Sequence, residues 1–252
     1  MTVAENISIP LGVSIAYTDS IPLVAVVLKI FSPLLPQTFQ YFGWYNFISC
    51  ILQCGFAMLL LRRFALGRVY SLIAALFFVG TPIFVERLFR HSALGSQWIV
   101  LAALLCYFTA RHREKFPAVG FWLLCTFAIG IHGYLVPMVY AILAAALLER
   151  IFKERKILKP ALFLGLCFAG TLVVGYVFGL LTRGGGHSTH NFGYYSMNLN
   201  APINPSSWNF FAEDTKVHWS RILPVLPQNY AQYDGFNYLG FGVILAQVGM
   251  VV

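Results

Sequence analysis

Three short groups of residues in this chain carry side chains able to do chemistry. The first is Tyr17-Thr18-Asp19-Ser20. A carboxylate there can accept a proton from a hydroxyl as a general base. It can equally cap the helix that Ile21-Pro22 begins, and the two roles are compatible. The second group is Glu86-Arg87-Leu88-Phe89-Arg90-His91. Arg87 and Arg90 are three apart and share one helical face. With His91 they form a cationic patch suited to a phosphate, which Arg grips in bidentate fashion. Interfacial anchoring with a Glu86–Arg90 pair is the competing explanation. The third group is Arg183-Gly184-Gly185-Gly186-His187-Ser188-Thr189-His190. Three glycines end a helix and also let backbone N–H groups approach a phosphate. The spacing is not that of a P-loop. His187 and His190 have no nearby third ligand, so no metal is assigned. His132 reads as a hydrogen-bonded turn residue.

Beyond the third group the chain is rich in rings and amides, among them Tyr194, Tyr195, Asn198 and Trp208. Such side chains stack on sugars and hydrogen-bond to them, although an aromatic belt at a membrane surface has the same composition. Asp234 adds a carboxylate and stands as a second candidate base; Asp-Gly alone reads as a turn. No nucleophile elbow or Ser-His-Asp pattern points to hydrolysis. No cofactor-binding motif is present.

These groups must be positioned by elements that lie in lipid. Of 252 residues, 59% are hydrophobic and 10% charged, and mean hydropathy is +0.73. Soluble domains carry about 25% charged residues, so water is the wrong solvent for this chain. The reading is an all-α, polytopic transmembrane bundle of about seven spans. Apolar runs of crossing length lie near 39–61, 69–85, 93–110, 117–131, 134–148, 160–181 and 237–252. The block Phe121 to Leu148 exceeds one span, and His132-Gly133 divides it. The chain is one membrane domain: an outer segment 1–38, a six-span bundle 39–181, an outer loop 182–236 and a last span 237–252.

Net charge is +8, and its distribution removes any link to nucleic acid. Eleven of the seventeen Lys and Arg follow the first, third and fifth spans, from Arg62 to Arg68, Arg111 to Lys115 and Arg150 to Lys159. The positive-inside rule puts those loops in the cytoplasm and the three chemical groups outside. Residues 21–35 hold Lys29 between Pro22 and Pro33; they read as an interfacial or re-entrant helix on the outer face. The chain would then start outside with no span to carry it there, which suggests a missing upstream helix. Cys50, Cys54, Cys106, Cys125 and Cys167 fall inside spans and read as small buried hydrophobes.

Several strings together carry a resemblance. They are Pro10-Leu11-Gly12, Tyr17-Thr18-Asp19-Ser20-Ile21-Pro22-Leu23 and Phe39-Gln40-Tyr41-Phe42-Gly43. Arg90-His91-Ser92-Ala93-Leu94 with Trp98, Met197-Asn198-Leu199, Asn204-Pro205 and Gly235-Phe236-Asn237-Tyr238-Leu239-Gly240 complete them. The chain resembles a bacterial family of polytopic membrane proteins catalogued as a domain of unknown function. That family's layout is similar to GT-C glycosyltransferases, which take a sugar from a polyprenyl-phosphate donor on the outer face. The resemblance implies a bacterial cytoplasmic membrane, a lipid-linked sugar donor and a glycan or lipid acceptor. Such proteins normally begin with a further helix and an acidic outer loop, and continue beyond the last span here. A chain shortened at both ends is therefore expected.

On this reading Asp19 or Asp234 deprotonates the acceptor. Arg87, Arg90, His91 and Arg183 hold the lipid phosphate, and Tyr194, Tyr195, Asn198 and Trp208 bind the acceptor. A transporter or lipid flippase is the alternative, and it would place polar residues at mid-membrane on broken helices. An inactive fragment or membrane scaffold is the third reading.

Overall fold

A computed structural model describes residues 3–4, 13–14, 18–36, 39–112, 115–181, 202–203, 206–209, 212–218 and 238–251. The chain divides into two compact units, one of Met1–Val79 with Arg90–Gly184 and one of Gly80–Phe89 with Gly185–Val252.

The first unit is a helical bundle. Its helices are α1 (Pro22–Ile30), α2 (Phe42–Leu61), α3 (Arg68–Val79), α5 (Trp98–His112), α6 (Ala118–Ala128), α7 (Leu135–Glu154) and α8 (Leu158–Val177). A short strand pair, β1 (Val3–Ala4) with β2 (Val13–Ser14), precedes them. The second unit contains most of α4 (Pro82–Arg90), the antiparallel pair β3 (Ser206–Asn209) and β4 (Ala212–His218), and α9 (Phe241–Val251). The all-α expectation therefore holds for the bundle, while the segment expected to be an outer loop contains the β3–β4 pair.

Helix length limits how many helices cross a membrane unaided. Among the described residues three are long and apolar enough: Phe42–Phe64, Leu135–Glu154 and Leu158–Val177. The bent pair Arg68–Val79 and Pro82–Arg90 makes a fourth if it counts as one span. Seven spans were expected, and the difference has local causes. The run at 69–85 breaks at Gly80-Thr81-Pro82, where Pro82 opens a new helix because its ring fixes φ and it has no N–H to give the preceding turn. The helices α5, α6 and α9 have 15, 11 and 11 residues, short of the about 20 that a bilayer needs. At nine residues α1 is roughly 14 Å long and too short to cross, as its sequence implied.

Inward faces follow the period of 3.6. On α2 the buried residues are Tyr45, Ser49, Gln53, Ala57 and Leu60, one stripe at near-fourfold spacing. Its other sides leave Trp44, Ile51 and Leu59 exposed, as does α8 with Leu162, Val173 and Tyr176, a pattern that suits lipid. The core joins Ile21, Ala93, Ile99, Phe121, Ile131 and Val139. Close approaches tie the helices together. A Cβ on Gly170 of α8 would fall 2.5 Å from Thr126 Oγ1 of α6. Tyr140 donates to Thr171 at 2.7 Å, and Thr171 donates to the Cys125 carbonyl at 2.8 Å. All five cysteines are free.

The basic loops gather at one end of this unit. Phe64 packs edge-on against Phe108 at 5.0 Å. Arg111 pairs with Glu149 at 3.6 Å, and Arg150 with Glu154 at 2.8 Å. Beyond α7 the chain turns at Arg155, which adopts a left-handed φ of 54° and donates its N–H to Ile151 at 2.8 Å.

Candidate functional site

The opposite end of the first unit collects different chemistry. Asp19 Oδ2 lies 3.8 Å from His91 Nδ1, with side chains 32% and 29% exposed respectively. Three buried residues put this pair in place. Ile21 follows Asp19 by two residues, Ala93 follows His91 by two, and Ile131 precedes His132 by one; all three belong to the same core. The backbone completes the docking, because Leu23 N–H of α1 donates to the Gly130 carbonyl at 2.8 Å. A side chain at 130 would prevent this approach: a Cβ there would lie 2.6 Å from the Phe178 ring and 3.2 Å from Leu23 Cβ.

Asp19 does not cap α1. The N-cap position is Ile21, and no side chain caps the helix. The capping role that competed with catalysis in the sequence is thus absent, and Asp19 Oδ1 is buried with no hydrogen-bond partner. A carboxylate oxygen in that condition carries a desolvation cost, and carboxylates as a class can accept a hydroxyl proton.

His132 lies within electrostatic reach of both partners. Burial holds its pKa below the usual 6.5; Asp19 opposes that shift and His91 adds to it. Its Nδ1 accepts the Tyr134 N–H at 3.2 Å, so the turn reading of this residue describes its contact, and its surroundings add a link to the Asp19–His91 pair. Tyr41, the residue before α2, brings its hydroxyl to the Ile21 backbone and within the field of Asp19. One turn further, the Tyr45 hydroxyl bonds Ser96, which is fully buried.

The sequence singled out Asp19, Arg90 and His91, and all three lie in this unit. Arg90 ends α4 and is adjacent to His91 in the chain. Arg87 falls in the second unit, on α4. Trp208 lies on β3 opposite Lys216. Arg183, Tyr194, Tyr195, Asn198 and Asp234 lie outside the described residues. The sequence reading missed Tyr41, Tyr45 and Ser96. A usable signal was present, since Tyr41, Tyr45, Ser49 and Gln53 recur every fourth residue along a largely apolar segment. Among the described residues no three of His, Cys, Asp and Glu form a metal-binding group.

Beside the pair, still within the first unit, is an apolar cavity of about 460 Å³. Leu23 and Val27 of α1, Trp98 of α5, Leu124 and Phe127 of α6, and Ile131 line it. One end of α1 thus borders a carboxylate–imidazole pair and its body borders hydrocarbon-like space.

The family model that matches this chain is a domain of unknown function (DUF6311), and it covers residues 1–252. No curated protein and no solved structure matches it.

Proposed function

Because the chain belongs to the DUF6311 family, whose description carries no activity, we propose its function from the site: a membrane glycosyltransferase that uses a polyprenyl-phosphate sugar donor. One observation carries the reading. Asp19, uncapped and with one buried oxygen unpartnered, faces His91 at the end of the bundle remote from the basic loops. With the basic loops in the cytoplasm, that end faces outward in a bacterial cytoplasmic membrane crossed several times by the chain.

Asp19 accepts the proton of the acceptor hydroxyl. The acceptor oxygen attacks the anomeric carbon, and the bond from that carbon to the phosphate oxygen breaks. Polyprenyl phosphate leaves, and the Arg90 guanidinium together with a His91 ring N–H stabilises its charge. His91 also orients the carboxylate. The apolar cavity under α1 supports a lipid donor, because dry apolar space accepts hydrocarbon and excludes water. The aromatic and amide residues Tyr194, Tyr195, Asn198 and Trp208 supply the chemistry for a glycan or lipid acceptor, and the resemblance to GT-C enzymes agrees with this assignment. Arg87, Arg183 and Asp234 stay with the roles their sequence context gave them.

The test uses the full chain in lipid nanodiscs with a radiolabelled polyprenyl-phosphate sugar and a membrane-extract acceptor. Labelled product, together with free polyprenyl phosphate, is expected. No product in nanodiscs, with sugar uptake into sealed proteoliposomes, replaces this reading with a transporter.

A further inference from the structure

Below the site, α2 carries polar side chains into the depth of the bundle. Tyr45, Ser49 and Gln53 occupy one face, at successive turns. Ser49 is 1% exposed and Gln53 3%. Gln53 lies at the midpoint of the span-length helix Phe42–Phe64. Gln53 Oε1 has no hydrogen-bond partner in the protein, and the same is true of the buried Trp98 Nε1. The Tyr45 hydroxyl bonds Ser96 and also reaches the Ser49 hydroxyl one turn along α2. Trp98 reaches this region of α2, since its ring stacks on Phe56 at 5.9 Å and 11°, three residues beyond Gln53.

Such groups are expensive in an apolar interior. An amide or hydroxyl left without a partner is destabilising, and lipid offers no compensation. An unpartnered amide oxygen and an unpartnered indole N–H on two packed helices, beside a serine hydroxyl with a lone pair to spare, match what a buried water requires: about three hydrogen bonds to polar groups. Ser49 and Gln53 are one turn apart, with Cβ atoms about 5–6 Å from each other, a gap that one water spans.

We propose that Ser49, Gln53 and Trp98 form an internal water site at the middle of α2, continuing inward from the Tyr45–Ser96 pair. A water there donates to Gln53 Oε1 and Ser49 Oγ and accepts from Trp98 Nε1. The polar stripe of α2 is then a hydrated file that starts beneath the Asp19–His91 site and ends halfway along the helix. It is independent of whether that site transfers sugar.

X-ray radiolysis with mass spectrometry on the full chain in nanodiscs tests this, because radicals formed from a bound water oxidise its neighbours. Trp98 is expected to be oxidised in the wild type, and at least about twofold less in Gln53→Met. No oxidation of Trp98, or equal oxidation in Gln53→Met, overturns the proposal. Thermal stability gives a second readout. Removing an unpartnered group from a dry site is neutral or stabilising, whereas removing one leg of a hydrated site is destabilising. Gln53→Met is expected to lower Tm by about 3 °C, and a raised Tm also overturns it.

Discussion

The two ends of the first unit carry their charges in opposite ways. At the basic end each carboxylate meets an arginine near the surface: Glu149 with Arg111, 44% and 55% exposed, and Glu154 with Arg150, 41% and 33% exposed. Tyr107 also donates to Glu149 at 3.0 Å. Exposed pairs of this kind contribute little, typically below about 1 kcal/mol; their sum of positive charge matters more than any single pair. At the other end a single carboxylate faces an imidazole with one oxygen unpartnered, set by residues two positions away that are fully buried. The first arrangement places a helix end at a water surface. The second keeps a proton acceptor incompletely satisfied, and a fold tolerates that where a ligand completes it. Charge is plentiful at the basic end and sparse at the Asp19–His91 end.

Substitutions that separate the two ends sharpen this contrast. Asp19→Asn keeps the shape and removes the base; transfer is expected to fall about 100-fold or more. Glu149→Gln, the matching change at the basic end, is expected to leave the rate within about twofold. A radiometric transfer assay measures both, and equal losses would erase the distinction between the ends.

The next effect is on position. Gly130→Val would drive a side chain into Phe178 and Leu23, which pushes α1 away from the turn. Overpacking of this kind costs about 1–3 kcal/mol. A Tm several degrees lower is expected in nanodiscs, with a loss of transfer that Gly133→Ala, which meets nothing within 4 Å, does not reproduce.

A smaller effect follows from His132. Its folded pKa is lowered from 6.5 by burial, so the folded state binds fewer protons than the unfolded state. The stability this contributes is present above about pH 6.5 and is lost as pH falls through the folded value. Tm is expected to drop below pH 6.5, and His132→Gln is expected to remove part of that drop; an unchanged pH profile would contradict it. The smallest effect belongs to the basic end. Glu154→Ala breaks an exposed i,i+4 pair worth about 0.3–0.5 kcal/mol, and Tm should move by about 1–2 °C or less.

Much of this contrast was legible in the residues. The three basic clusters read directly as one kind of helix end, and Phe64–Phe108 and Arg111–Glu149 contacts do bring their helices' ends together. The break at His132-Gly133 was readable from two residues. Asp19 and His91 were both visible as reactive types. Their mutual approach was not, because they are 72 positions apart and meet through Ile21 and Ala93 in a shared core. Sequence offered Asp19 two compatible roles, helix cap and base, and backbone geometry removes the first, since the cap falls at Ile21. Seven runs read as spans and three helices, or four with the bent pair, are long and apolar enough among the described residues, because apolar composition persists through breaks that helices do not survive. Gly80-Thr81-Pro82 is such a break. The stripe Tyr45, Ser49, Gln53 is faint in the sequence, because three neutral polar residues hardly change the average hydropathy of a span.

The pairing of Asp19 with His91 is the central claim, and a double-mutant cycle on the transfer rate tests it most directly. Asp19→Asn, His91→Gln and the double variant are assayed with the polyprenyl-phosphate sugar donor in nanodiscs. Two residues that act as one unit are strongly non-additive, so the double variant is expected to be no slower than Asp19→Asn alone. Losses that multiply, with the double variant slower by the product of the two single effects, would contradict it.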